Sequence, residues 1–125
     1  MKAIKITYWI TTSIVAVMMA LSAYMYFTNA EVMENFRRAG FPDFFRVELG
    51  IAKIIGAILL LAPVAARVKE WAYAGFGITF ISAFITHVVL GDAVSQVIAP
   101  VFFFVLLLVS YITYHRKQKP ALSIV

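Results

Sequence analysis

The sequence predicts an all-α integral membrane protein, a single domain over residues 1–125. Four transmembrane helices are expected, at about residues 6–27, 47–64, 71–90 and 96–114. A short amphipathic helix is expected in the first outer loop. Three observations carry this reading. Of 125 residues, 63% are hydrophobic and only 14% charged, where a soluble domain has about 45–50% apolar and about 25% charged residues. Mean hydropathy is +0.92. The few charges are bunched between long apolar runs. Together these exclude an ordinary soluble enzyme, a disordered chain and a coiled coil.

The first span lies between Lys5 and Glu31, where no acidic or basic residue occurs. Lys2 and Lys5 ahead of it, with Thr28-Asn29-Ala30 behind, resemble a signal peptide. Its apolar core exceeds the usual length of about 7–15 residues, so a retained span is expected instead. The second span carries Glu48 near its start and Lys53 inside, and a lysine in the outer third of a span can snorkel to the interface. The third and fourth spans run uncharged from Trp71 to Gly91 and from Ala93 to His115. Membrane strands are excluded, because a barrel strand alternates apolar and polar residues and these runs do not.

The connections differ in kind. Residues 28–46 form the longest. Asn29 is expected to cap a short helix with Met33 and Phe36 on one side and Glu34 and Arg37 on the other. Gly40 is expected to end it, and Pro42 to begin the next turn or short helix, leaving Phe41, Phe44 and Phe45 at the bilayer surface. Pro63 should end the second span, with Arg67, Lys69 and Glu70 in a turn before the third. The tail after His115 is expected to be a basic helix end followed by a few disordered residues.

With four spans, seven Lys and Arg residues lie on the side of the termini (Lys2, Lys5, Arg67, Lys69, Arg116, Lys117, Lys119). Four lie on the other side (Arg37, Arg38, Arg46, Lys53). The positive-inside rule then puts both termini in the cytoplasm. Tyr8, Trp9, Trp71, Tyr73, Tyr111 and Tyr114 read as an inner aromatic belt, and Tyr24, Tyr26, Phe44 and Phe45 as an outer one. The net charge of +5 is accounted for by this topology and calls for no nucleic acid.

The polar residues of the spans gather in one outer layer. Tyr24, Glu48, Lys53, His87 and Asp92 are the candidate ligand-binding residues. Ionisable groups in a span are costly and usually face the bundle interior or a wet cavity. Lys53 and His87 are therefore expected to share an internal cavity, with Glu48 or Asp92 supplying the compensating charge. A purely structural role for the same residues stays open: Lys53 snorkelling and paired, His87 bonding across helices. A series Gly75, Thr79, Ala83, His87, Gly91 recurs every four residues along the third span, with Ala52 and Gly56 on the second. It reads either as a seam of close helix contact or as room for a ligand or lipid tail.

The chain has no cysteine, so disulfides and Cys-ligated metals are excluded. One histidine near one carboxylate does not make a metal site, and His115 sits at the opposite end. Met18, Met19 and Met25 read as packing residues. No phosphate loop, dinucleotide fingerprint or Ser-His-acid pattern is present, and no catalytic residue emerges.

Several segments together resemble the DoxX-like family of small four-helix membrane proteins. They are Gly40-Phe41-Pro42, Leu49 to Gly56 (with Lys53), Lys69-Glu70-Trp71-Ala72-Tyr73-Ala74-Gly75-Phe76, and His87 with Gly91-Asp92. Tyr8-Trp9 and Ser110-Tyr111 fit as well. The resemblance covers nearly the whole chain. It implies a four-helix bundle in the bacterial cytoplasmic (inner) membrane, with Lys53, Glu70, Trp71, His87 and Asp92 at the matching positions. The wider family includes a small subunit associated with thiosulfate:quinone oxidoreductase, which implies quinone as a ligand. The leading functional expectation is an accessory subunit contacting membrane lipid and either a second copy or another membrane protein. The alternatives are a quinone-binding redox subunit and a transporter of a small solute.

Overall fold

The computed structural model describes residues 2–124, with side chains placed over residues 2–117. It contains five helices: α1 (Lys2–Thr28), α2 (Ala30–Arg38), α3 (Asp43–Leu61), α4 (Ala66–Val89) and α5 (Val94–Ile124). The chain is all-α over these residues. α1, α3, α4 and α5 run alternately up and down, so one end of the bundle holds the chain termini and the 62–65 turn. The other end holds α2 and the 90–93 turn; we call it the loop end. α1, α4 and Val94–Lys117 of α5 are long and apolar enough to cross a membrane. α3, at 19 residues, carries Asp43, Arg46, Glu48 and Lys53 and falls short of that composition.

Each long helix buries a seam spaced alternately three and four residues apart. In α1 it is Tyr8, Thr12, Val15 and Met19, continued by half-buried Ser22 and Tyr26. In α3 it is Arg46, Gly50, Lys53, Ala57 and Leu60. In α4 it is Lys69, Tyr73, Phe76 and Phe80, continued by half-buried Ala83 and His87. In α5 it runs from Pro100 through Phe103, Leu107 and Ser110 to Tyr114. This spacing averages 3.5 residues and is the signature of helices packed side by side in a bundle. Outside the seams, residues such as Val17, Ile58, Ile78, Val89 and Val105 are half or more exposed, as lipid-facing residues are.

The boundaries correct several expectations. α3 begins at Asp43 and not near residue 47, so the helix that Pro42 opens is continuous with it and holds Phe44 and Phe45 in its first turn. α4 begins at Ala66, so Arg67, Lys69 and Glu70 are helical and not a turn. Lys69 bends back and donates to the Leu60 carbonyl (2.5 Å). That satisfies one of the carbonyls which the last turn of α3 leaves without an intrahelical donor. α5 continues to Ile124, so the expected disordered tail is part of the helix as far as the chain is described; Lys119 and the other side chains beyond Lys117 lie outside the described ones. Tyr8, Tyr73 and Tyr114 are 2%, 4% and 3% exposed. They are core residues, not an interfacial belt.

The termini half of the bundle is closed. Ser110 Oγ lies 2.5 Å from Thr12 Oγ1 and 2.7 Å from the Tyr73 hydroxyl. This joins α1, α4 and α5 through polar groups that satisfy one another. Leu60, Phe76, Phe80, Met19 and Leu107 pack beside it. Gly56 lets the Phe76 ring reach α3, since a Cβ there would lie 2.7 Å from the ring tip.

Candidate functional site

The loop half is built differently, beginning with two helix ends. α2 starts where the Asn29 side chain accepts the Val32 N–H. It stops in a Schellman motif: Gly40, at φ +91°, donates to the Arg37 carbonyl, and Phe41 donates to the Phe36 carbonyl. The apolar contact that usually accompanies this motif is made by the Phe36 and Phe41 rings, 5.9 Å apart. α4 ends the same way. Gly91, at φ +70°, donates to the Val88 carbonyl, and Asp92 donates to the His87 carbonyl. Here the motif brings a charged pair together where the first brings two rings. His87 Nδ1 donates to Asp92 Oδ2 at 2.7 Å.

Asp92 also accepts from Arg38 Nη2 at 2.5 Å, so the last residue of α2 is clasped to the α4–α5 turn. The Asp92 side chain is 8% exposed. The Arg38 hydrogen bond first, and the His87 bond second, hold its carboxyl below the usual carboxylate range.

On the opposite wall, α3 sends two cations to α1. Arg46 Nη1 donates to the Tyr26 carbonyl. Lys53, two turns further along the same face, donates to Ser22 Oγ at 3.0 Å and to the Tyr26 hydroxyl at 2.7 Å. Its Nζ lies 4.3 Å from the Tyr26 ring centroid. Lys53 is only 7% exposed, and among the described residues no carboxylate forms an ion pair with it.

Between these walls lies a cavity of about 590 Å³, within the range of small-molecule sites, about 300–1,000 Å³. α2 covers it with Val32, Asn35, Phe36 and Ala39; Met19, Phe80 and Phe103 form its floor against the closed half. Ser22, Tyr26, Lys53, His87, Arg38 and Asp92 are its main polar lining. A second cleft of about 280 Å³ runs between α3 and α4 past Gly56, Gly75 and Trp71, and shares Leu49, Lys53 and Thr79 with the first.

Of the five candidate residues, the structure brings Lys53, His87 and Asp92 to one cavity. It does not bring Tyr24 or Glu48 there. Tyr24 is 63% exposed because it sits two residues, about 200° of helix rotation, from Tyr26, which holds the seam position. Glu48 is exposed and lies off the Arg46–Gly50–Lys53 seam. The compensating charge expected for Lys53 is therefore absent: Asp92 is committed to Arg38 and His87, and Lys53 is held by hydroxyls.

The expected seam from Gly75 to Gly91 is also corrected. A strict spacing of four rotates about 40° per step, so the series crosses the seam instead of following it, from exposed Gly75 to Ala83 and His87 on the seam. Gly75 is exposed, with nothing within 4 Å of where a Cβ would be. Thr79, Ala83 and His87 line the cavity without closing it. Three partners went unrecognised in the sequence: Tyr26, Arg38 and Arg46. The three-four spacing of α1 and α3 marks Tyr26 and Arg46; nothing local marks Arg38.

Glu70, at the termini end, accepts from the Tyr111 hydroxyl (2.9 Å) and from His115 Nε2 (2.7 Å), far from Lys53 and His87 in the bundle. Trp71 is 65% exposed and borders only the second cleft. Among the described residues no group of three or more His, Asp or Glu is placed to hold a metal ion. The arrangement is suited to binding: a buried cation and hydroxyls at the head of an apolar, aromatic-walled space.

The family model for the DoxX-like family matches residues 10–110. No curated protein and no solved structure matches the chain. The chain belongs to the DoxX-like family and is a small, multi-spanning membrane protein.

Proposed function

We propose that this protein is a four-span accessory subunit of the bacterial cytoplasmic membrane whose loop-end cavity holds the polar head of a membrane lipid. α3 is the fourth span: it packs along α1 and lies against α4, and its charged residues Arg46 and Lys53 turn inward to the seam. α2 lies along the membrane surface, and the termini face the cytoplasm, where seven of the eleven Lys and Arg residues gather. A partner, as a second copy or another membrane protein, fits a chain that is almost wholly membrane helix. The observation that carries the lipid reading is the buried Lys53 ammonium at the head of the cavity. An ionised group inside a bundle is costly, and here it stands beside a space of about 590 Å³.

Quinone is a second reading. Lys53 Nζ can donate to a ring carbonyl, and Phe36, Phe41 and Phe45 supply flat walls, with the Phe41 and Phe45 rings stacked 4.9 Å apart. Quinone, when bound, would supply electron-carrying capacity that the side chains lack; the chain's own residues would bind and orient it.

The test is native mass spectrometry with lipid extraction after purification in gentle detergent. The wild type should retain a lipid or quinone that Ala83→Trp, which puts a bulky ring into the cavity, holds less well. Equal retention by both would remove the cavity from consideration. Because the chain lacks cysteine, Ala65→Cys and Ala93→Cys report topology cleanly. Ala65→Cys should be labelled only from the cytoplasmic side and Ala93→Cys only from the other.

A further inference from the structure

We infer that the occupant is a single-chain anionic amphiphile, a long-chain carboxylate, with its headgroup on Lys53 and its acyl chain leaving the bundle sideways between α3 and α4. This rests on the lipid-binding reading above and names the class of lipid.

The charge balance at the cavity selects an anion. Three basic side chains line it, and they meet one carboxylate. Arg38 and His87 both bond to that carboxylate, Asp92. Lys53 is left with Ser22 and Tyr26 oxygens, which can orient an ammonium but cannot neutralise it. A buried cation is stabilised far better by an opposite charge than by neutral hydroxyls. Lys53 is the one basic group lining the cavity with no carboxylate partner, and an anionic headgroup would supply it. A neutral ring carbonyl leaves the charge where it was.

The shape selects a single chain. Lys53, Leu49 and Thr79 line both spaces, so the headgroup position borders the cleft between α3 and α4. That cleft is lined by Ala52, Ile55, Leu59, Ala72 and Phe76, all apolar. Gly75 lines it too, and a Cβ there would meet nothing within 4 Å, so a long side chain at this position has room to enter the cleft. Gly56 offers no such room, because Phe76 already fills its place. At about 280 Å³ that cleft has room for one acyl chain and not for two. The closed half below Phe80 and Met19 blocks the way down, and α2 covers the top.

Binding is measured on the full chain in nanodiscs of zwitterionic lipid, using displacement of cis-parinaric acid. Palmitate should displace the probe saturably, and hexadecanol, with the same chain and no charge, should be weaker by about tenfold or more. Lys53→Met should abolish the difference between the two, and Lys53→Arg should keep it. Gly75→Leu should weaken palmitate more than octanoate, since it narrows the cleft and leaves the headgroup site intact. If Lys53→Met does not fold, the palmitate–hexadecanol comparison and the Gly75→Leu series still decide. Equal binding of palmitate and hexadecanol overturns the anionic headgroup. Equal effects of Gly75→Leu on both chain lengths overturn the lateral exit. If decylubiquinone binds saturably to the wild type, fails to bind Ala83→Trp and is not displaced by palmitate, this inference falls and the cavity reading survives. If neither ligand binds and no lipid co-purifies, both fall.

Discussion

The two halves of this bundle continue the same four seams with the same spacing, yet one half is shut and the other hollow. At the termini end, Tyr8, Thr12, Tyr73, Ser110 and Tyr114 are all nearly inaccessible. The hydroxyls of Thr12, Tyr73 and Ser110 bond to one another across three helices. At the loop end the seam residues are Ser22, Tyr26, Lys53, Ala83 and His87, and they surround a space. The difference lies in how polarity is satisfied. Hydroxyls of matched reach bond pairwise and draw helices together. Ser22 and Ala83 beside Lys53 have little bulk to fill the section, and the lysine's charge favours a wet or ligand-filled space over a dry contact. Helix association in lipid depends on close packing because lipid competes for apolar contact. The half that packs therefore carries the stability, and the half that does not is left hollow.

The largest expected effect breaks the closed half. Leu60 is completely buried, and Leu60→Ala should cost about 2 kcal/mol. This is the low end of the Leu→Ala range, since lipid lessens the transfer contribution but not the lost contacts. Thermal unfolding in detergent micelles reads it, and an unchanged midpoint would mean the closed half is not what holds the bundle together.

A pair of glycines on the two faces of the α3–α4 contact sharpens the contrast. Gly56→Ala drives a methyl to 2.7 Å from the Phe76 ring tip, so the ring or the helix must shift, and a loss of about 1 kcal/mol is expected. Gly75→Ala meets nothing within 4 Å and should be neutral or stabilising, by up to about 1 kcal/mol from helix propensity. The same unfolding assay compares them, and a Gly75→Ala variant less stable than Gly56→Ala would show that the cleft closes in the membrane.

The smallest effect concerns the clasp that holds α2 over the cavity. The Asp92 carboxyl titrates lower in the folded protein than in the unfolded chain because Arg38 and His87 bond to it. Its contribution is therefore fully present above the unfolded carboxylate value, near about pH 4. It is lost as the pH falls through the lower folded value. Amide hydrogen exchange of α2, corrected for intrinsic rates, should be flat from neutral pH downward and rise only on strong acidification. Asp92→Asn should show faster exchange at neutral pH and no acid limb. Exchange in α2 that is equally fast in wild type and Asp92→Asn would show that the clasp does not hold it.

Much of the candidate site was legible once spacing is read strictly. Arg46, Gly50, Lys53, Ala57 and Leu60 stand three and four apart, which marks Lys53 as inward-facing before any coordinates. The same count on α1 selects Tyr26 over Tyr24. The series Gly75, Thr79, Ala83, His87 is not a close-packed seam, because a repeat of four advances faster than one, but the other reading of it, as open space, matches where these residues lie. α3 is harder to read as a span, since Asp43, Arg46, Glu48 and Lys53 dilute its hydropathy, and hydropathy averages over faces that a bundle keeps apart.

Local chemistry in the chain determined where the helices lie and how they end. Apolar runs set the spans, and Gly40 and Gly91 accept the left-handed conformation that stops α2 and α4. The His87-to-Asp92 spacing makes their contact a consequence of that turn. Which groups meet across the bundle was decided by the tertiary structure alone. Arg38 reaches Asp92 across 54 residues of sequence, and Lys53 finds Ser22 and Tyr26 across 31 and 27. Charge pairing depends on distance in space, and an ammonium several ångströms from every carboxylate cannot be told in sequence from one that touches an acid. The hollow beside it is the same kind of fact: a void is the absence of contact among four helices, and no single helix encodes it.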